Sequence, residues 1–154
     1  MEQNKFNKYF LILISFFVIY SCQFEWVEER RIFLKKIEFG LSVRDAFKQK
    51  SIKYFSQDSS NNNYILNISN LKFKKKNFYG GSGARAQQIE IIGQLEYSFS
   101  DMTSNYGGKL EISGWIPVNE NNPQAEMTAQ QKMIEELEFL LLEDLLQEYW
   151  IIES

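Results

Sequence analysis

The sequence predicts an α+β fold: a two-layer sandwich of about four mostly antiparallel strands, with a short early helix and a long C-terminal helix on one face. Two observations carry this expectation. Between residues 64 and 118 apolar and polar residues alternate in three long runs, the mark of an antiparallel sheet covered on one side only. After residue 122 the period changes, and apolar residues recur every three or four positions, as on a helix packed against such a sheet.

The elements follow in order. "RRIFLKKIEFG" contains a first strand near Ile32–Phe39, which Gly40 ends. In "LSVRDAFKQK", Ser42 is a plausible N-cap, and Val43, Ala46 and Phe47 stand at helical spacing. "IKYFS" returns to a strand pattern, and "QDSSNNN", residues 57–63, is a polar loop. In "YILNISNLKF", Tyr64, Leu66 and Ile68 share a face, but Leu71 and Phe73 continue it only after a one-residue shift of phase at Asn70. A shift of that kind inside a strand predicts a β-bulge.

"IEIIGQLEYSF" places Ile89, Ile91, Leu95, Tyr97 and Phe99 on one side and Glu90, Gln94, Glu96 and Ser98 on the other. "SDMTSNYGG" turns the chain, and "KLEISGWIPV" repeats the alternation through Leu110, Ile112, Ile116 and Val118. The closing helix is expected over Gln124–Tyr149, roughly 39 Å at 1.5 Å per residue. Its apolar stripe is Ala125, Ala129, Met133, Leu137, Leu140, Leu141, Leu145 and Leu146. Glu135, Glu136, Glu138, Glu143, Asp144 and Glu148 form an acidic face read as solvated.

The N-terminus reads differently. Residues 9–20 form an apolar run of twelve behind Lys5 and Lys8, short of the roughly 20 a membrane-crossing helix needs. A basic start, a brief apolar core and a small residue before a break describe a secretory signal. "IYSC" reads as a lipobox, with Tyr20 where a small residue is usual and Cys22 as the acylated position. The expected division is a lipoprotein signal peptide, residues 1–21, and one domain, residues 22–154. No cofactor is expected beyond the covalent lipid, an N-acyl diacylglycerol group on Cys22. Residue 23 is Gln rather than the Asp that retains such proteins at an inner membrane, so an outer-membrane address is expected. The competing readings of the opening stretch are a buried strand that ends in a buried apolar cysteine, and a cytosolic chain whose N-terminus is a genuine strand.

Composition narrows the chemistry. The 154 residues include no histidine and one cysteine, which excludes Ser-His-Asp and Cys-His catalysis, the usual zinc sets and an internal disulfide. A glycosidase-like acid pair, Glu135 with Glu138 or Glu143 with Asp144, lacks any sign of a cleft that would raise one pKa. The chain is not expected to be an enzyme, and no metal site is expected.

Charge is divided along the chain. Residues 30–85 hold thirteen Lys and Arg against three acids, and residues 86–154 hold two Lys against thirteen acids. The densest basic stretch, "KFKKKNFYGGSGAR", contains Lys72, Lys74, Lys75, Lys76 and Arg85 with Phe73, Phe78 and Tyr79 among them. Its bland reading is a solvated loop. Its sharper one is a site for an amphipathic anion, phosphates on the cations and apolar parts on the rings. Single-stranded nucleic acid has the same chemistry, but an exported protein is not expected to meet it. "GGSG" lacks the GK[ST] of a phosphate loop.

The order of lipobox, strand and short helix, two long strands around a basic hairpin, a third strand and an acidic-apolar helix resembles the LptE family of lipopolysaccharide-assembly lipoproteins. The segments that carry the likeness are "SCQF", "RAQQIEIIGQLEYSFSD" and "NNPQAEMTAQQKMIEELEFLLLEDLLQEY". The resemblance implies a protein that plugs and helps assemble the LptD outer-membrane β-barrel and binds lipopolysaccharide. It makes Cys22 the lipid anchor, and Lys72, Lys74, Lys75, Lys76 and Arg85 candidates for contacting lipid A phosphates or the barrel lumen. The alternative is another periplasm-facing lipoprotein module, a barrel-assembly accessory or a lipid-binding carrier.

Overall fold

The computed structural model describes residues 31–58, 64–80, 86–119 and 121–154; the expected signal peptide and Cys22 lie outside these residues. Eight elements follow in order: β1 (Ile32–Leu34), β2 (Lys36–Phe39), α1 (Asp45–Tyr54), β3 (Phe55–Gln57), β4 (Ile65–Tyr79), β5 (Ala86–Ser100), β6 (Asn105–Pro117) and α2 (Pro123–Glu153). The α+β architecture is as expected, with both helices packed on one face of a four-stranded sheet ordered β2-β4-β5-β6.

The expected first strand is present but changes partner halfway. β1 runs parallel to β3, with Ile32 opposite Phe55, while β2 runs parallel to β4, with Phe39 opposite Ile68. Lys35 joins the two, its N–H donating to the Tyr64 carbonyl at 2.9 Å. The sheet is therefore mixed, and a small two-stranded sheet accompanies it. At the end of β2, a Cβ on Gly40 would collide with the Ser69 carbonyl. Only glycine lets the two backbones approach there, which explains why this residue ends the strand.

α1 starts later than its sequence pattern indicates. Arg44 occupies the N-cap position without a side-chain cap. Ser42 turns away from the helix and donates from Oγ to Asn70 Oδ1 at 2.8 Å. At the other end, helix continues through Ile52–Tyr54, and the strand expected in "IKYFS" begins only at Phe55. Phe47 and Phe55 are fully buried, so burial on both elements is served by this boundary.

The bulge in β4 is present, a register shift between Ile68 and Asn70 in the pairing with β5. It keeps Leu66, Ile68 and Leu71 on the helix-covered face, all three buried. β5 pairs with β6 without any shift, Ile89 opposite Ile116 and Leu95 opposite Leu110. The turn between them is closed by Asp101, whose Oδ1 accepts the N–H groups of Thr103 and Ser104, both at 2.6 Å. Those donors hold its carboxyl below the usual carboxylate range.

α2 spans 31 residues, about 46 Å. Asn122 caps it, its Oδ1 accepting from the Ala125 N–H at 3.0 Å, and Pro123 follows at the first turn, where a missing N–H costs nothing. Leu137, Leu141, Leu142, Leu145 and Tyr149 are buried against the sheet. Near its start the helix sits so close that a Cβ on Gly114 of β6 would strike the Met133 sulfur. Ala125, by contrast, is exposed.

Candidate functional site

The helices cover one face of the sheet. No described element covers the other. Along β4, residues after the bulge alternate between these faces, and this sorts the basic stretch. Lys72, Lys74 and Lys76 project from the uncovered face, opposite Gln94, Ile92 and Glu90 of β5. Lys75 lies opposite the buried Ile91 on the helix side, where its Nζ donates to Gln130 of α2. The four lysines between residues 72 and 76 thus supply two different surfaces. Three expected lysines come together, and Lys75 joins β4 to the helix. Arg85 lies outside the described residues.

The aromatic residues are sorted by the same rule. Phe73 faces the helices, and the Arg44 guanidinium sits 5.1 Å from its ring centroid. Phe78, on the uncovered face, meets Trp115 of β6 across β5, ring centroids 4.5 Å apart. Lys76 Nζ lies 4.8 Å from the Phe78 centroid, within cation–π range. Trp115 keeps 46% of its surface exposed. The hairpin end of the uncovered face is therefore a shallow apolar platform, Phe78 with Trp115, beside a row of lysines.

Towards the middle of the same face the charges are balanced. Glu111 of β6 accepts from Gln94 Nε2 at 2.5 Å and from Lys109 Nζ at 3.2 Å. Its carboxyl is held below its ordinary range, first by the Lys109 hydrogen bond, then by Gln94, with the charge of Lys74 adding to both. Among the described residues, Lys72 and Lys76 form no ion pair within 4.0 Å. On the β4 side three lysines thus stand against Glu90, opposite Lys76, and the nearby Glu111, and a phosphate-bearing amphiphile matches this excess: anion on Lys72, Lys74 and Lys76, hydrocarbon against Phe78 and Trp115. The Phe78–Trp115 contact has no local sequence signal, because the two rings are brought together only by strand register.

A second charged cluster was hidden in the expected acidic face of α2. Glu138 is not solvated. It is 1% exposed, and its two carboxylate oxygens accept from Arg44 and, at 2.8 Å, from Lys50 of α1. A buried carboxylate must be paired, and these two cations pair it while tying α1 to α2. A signal for this existed, since Glu138 interrupts the apolar stripe running through Ile134, Leu141 and Leu145. The remaining acids of that face, Glu135, Glu136, Glu143, Asp144 and Glu148, are exposed or half-exposed. Glu148 accepts from the Tyr97 hydroxyl at 2.8 Å.

Among the described residues no three His, Cys, Asp or Glu side chains gather as metal ligands, and no helix is long and apolar enough to cross a membrane. An open depression at the start of α2, lined by Asn122, Pro123, Met127 and Gln131 among others, carries no charged group and lies away from the lysine row.

Comparison with known proteins places the fold. No protein-family model and no curated protein sequence matches this chain. Among solved structures, rare lipoprotein B from Shewanella oneidensis is similar, with a TM-score of 0.65 and 12% identity over 79% of this chain and 96% of that one. Lipoprotein B from Nitrosomonas europaea has a TM-score of 0.59 and 10% identity over 75% of this chain and 80% of that one. A minor lipoprotein from Acinetobacter baumannii gives 0.55 and 11%, over 75% and 88%. At such identities the likeness shows the fold alone, one that this chain shares with the three lipoproteins.

Proposed function

We propose that this chain is an outer-membrane lipoprotein of the LptE type. Acylated at Cys22, it plugs and helps assemble the LptD β-barrel from the periplasmic side and binds lipopolysaccharide for delivery to the outer leaflet. The observation that carries the reading is a fold shared with three bacterial lipoproteins, in which one sheet face is polar, uncovered and lined by Lys72, Lys74 and Lys76. A hydrophilic face suits the polar lumen of a large barrel. The three lysines supply charge-assisted contacts to lipid A phosphates, each worth about 1.5–3 kcal/mol, and Phe78 with Trp115 receives acyl or sugar surface. Three acyl chains at Cys22, at ~0.8 kcal/mol per buried CH₂, make the anchor effectively permanent.

The test has two arms. The tagged full-length chain, extracted from outer membranes in mild detergent, is expected to bring down a large β-barrel. In the second arm, Lys72→Gln/Lys74→Gln/Lys76→Gln is expected to weaken lipopolysaccharide binding by about ten-fold or more, whereas Lys75→Gln leaves it near wild type. Lipopolysaccharide binding without a co-purifying barrel would favour the lipid-carrier alternative. A barrel without lipopolysaccharide binding would favour an assembly accessory, and neither would sink the proposal.

A further inference from the structure

Trp115 breaks the pattern of its strand. The open face of β6 otherwise carries Lys109, Glu111 and Ser113, yet at the hairpin end it holds an indole that keeps 46% of its surface exposed. Phe78 ends the lysine row of β4 in the same way. Strand register sets Phe78 beside Gln88 and Trp115 beside Glu90. The two rings therefore meet over β5 with an amide on one side and a carboxylate on the other. Gln88 is exposed and Glu90 half-exposed. Among the described residues Glu90 forms no ion pair, although Lys76 stands opposite it.

These neighbours decide what the rings receive. An acyl chain gains in proportion to the surface it removes from water. On this face it is covered from one side only, since no described element closes over it and the lumen of a large barrel is polar. It would also strip water from the Glu90 carboxylate and the Gln88 amide without replacing their hydrogen bonds, which costs free energy. A sugar ring suits the same surroundings. One face of a pyranose presents polarised C–H groups, which pack on the electron-rich face of an aromatic ring. Its rim presents hydroxyls, which donate to the Glu90 carboxylate and exchange hydrogen bonds with the Gln88 amide. Lys74 and Lys76, about 7 Å apart along the strand, then meet phosphates carried on the sugars. From Lys72 to Phe78 the row runs about 20 Å, long enough for more than one ring.

We infer that Phe78, Trp115, Gln88 and Glu90 form a carbohydrate platform, which takes the phosphorylated sugars of lipopolysaccharide rather than its acyl chains. The inference rests on the lipopolysaccharide reading above and divides that ligand: phosphate on the lysines, the C–H face of a sugar on the rings, hydroxyls on Glu90 and Gln88.

The test uses the full-length chain in mild detergent, labelled with fluorotryptophan; the Trp115 fluorine resonance is assigned by its loss in Trp115→Phe. An acyl-free, bisphosphorylated glucosamine disaccharide is expected to shift that resonance. Decanediol bisphosphate, which has an alkyl chain in place of the sugars, is expected to leave it in place. Trp115→Ala and Phe78→Ala should each weaken disaccharide binding about ten-fold, and Trp115→Phe should weaken it less. Glu90→Ala separates the roles by sign: it loosens the disaccharide, which loses a hydroxyl acceptor, and tightens decanediol bisphosphate, which loses a repelling charge. Circular dichroism shows that each variant is folded. A Trp115 resonance moved equally by both probes, or a Glu90→Ala chain that binds both more tightly, would overturn the inference. Intact lipopolysaccharide bound by a chain that ignores the disaccharide would overturn it too, while leaving the proposed function standing. Disaccharide bound at Trp115 without binding of intact lipopolysaccharide would support the platform and sink the functional reading.

Discussion

Glu138 is where a single residue most changes the reading of this chain. Its carboxylate is buried between α1 and α2 with Arg44 and Lys50 upon it. Removing one partner of a buried pair leaves charge without compensation, but Arg44 and Lys50 are 43% and 35% exposed and regain water easily. Glu138→Ala is therefore expected to cost about 2–3 kcal/mol, below the range for a fully buried pair. Arg44→Ala should cost less, since Lys50 still holds the carboxylate. Urea midpoints at constant m-value check both. Tyr97 gives a pH signature. Burial, then its hydrogen bond to Glu148, pushes its hydroxyl well above the ordinary value. A raised folded pKa contributes stability that is present below the unfolded pKa of about 10 and is lost as pH climbs beyond it. Stability of the wild type should therefore fall more steeply above pH 10 than that of Tyr97→Phe, measured as the difference in urea midpoint between pH 9 and 11. Alternation puts Tyr97 on the core face but shows nothing of its bond to Glu148, and the place of Glu138 in the apolar stripe hints at burial without naming its partners. Helical spacing put Glu138 among acids that do face water, and only the approach of α1 buried it.

Elements were more readable. The phase shift at Asn70 announced the β4 bulge, and alternation located most of β5 and β6, but β5 starts three residues before the expected Ile89, and Asn105–Gly108, expected as turn, are the first four residues of β6. Asn122 followed by Pro123 marked the start of α2. Asn122→Ala is expected to cost about 1 kcal/mol, the ordinary value of an N-cap, checked by thermal unfolding. Packing between elements was less visible. Gly114 in β6 looks like an unremarkable strand residue, yet Met133 occupies the space its side chain would need. Gly114→Val should cost about 1–3 kcal/mol by driving the Met133 side chain from its place between α2 and β6, while leaving the helix content in circular dichroism unchanged. The start of α1 departs from its sequence pattern because Ser42 offers a cap in sequence but finds Asn70, a residue far along the chain, in space. The partner change at Lys35 had no local mark: β1 and β2 read as one strand, and each half is recruited by a different later segment.

At the scale of the molecule, the uneven charge of the sequence becomes a surface. The basic half supplies β4 and α1, and the acidic half supplies much of α2. Lysines in the open row lie beyond the reach of most of that acid, so their binding to an anionic amphiphile should be partly electrostatic. Raising salt from 50 mM to 500 mM shrinks the screening length to under about 5 Å. Lipopolysaccharide binding is expected to weaken over that interval, and to weaken less in the triple glutamine variant. Trp115→Ala should lower affinity with little change in salt dependence, because its share is apolar. Titrations at several ionic strengths separate the two contributions.

The chain's own residues determined the kinds of element and their order, because periods of two and of about 3.6 are written locally and need no partner to be seen. They also determined which chemistries are impossible, since no histidine is present to perform them. Tertiary structure alone decided that Lys75 leaves its neighbours for the helix side, that Glu138 is enclosed, that Phe78 meets Trp115, and that the first strand divides its pairing between β3 and β4. Each of these depends on register and on contacts between segments distant in sequence, where one residue of slip exchanges the two faces of a strand.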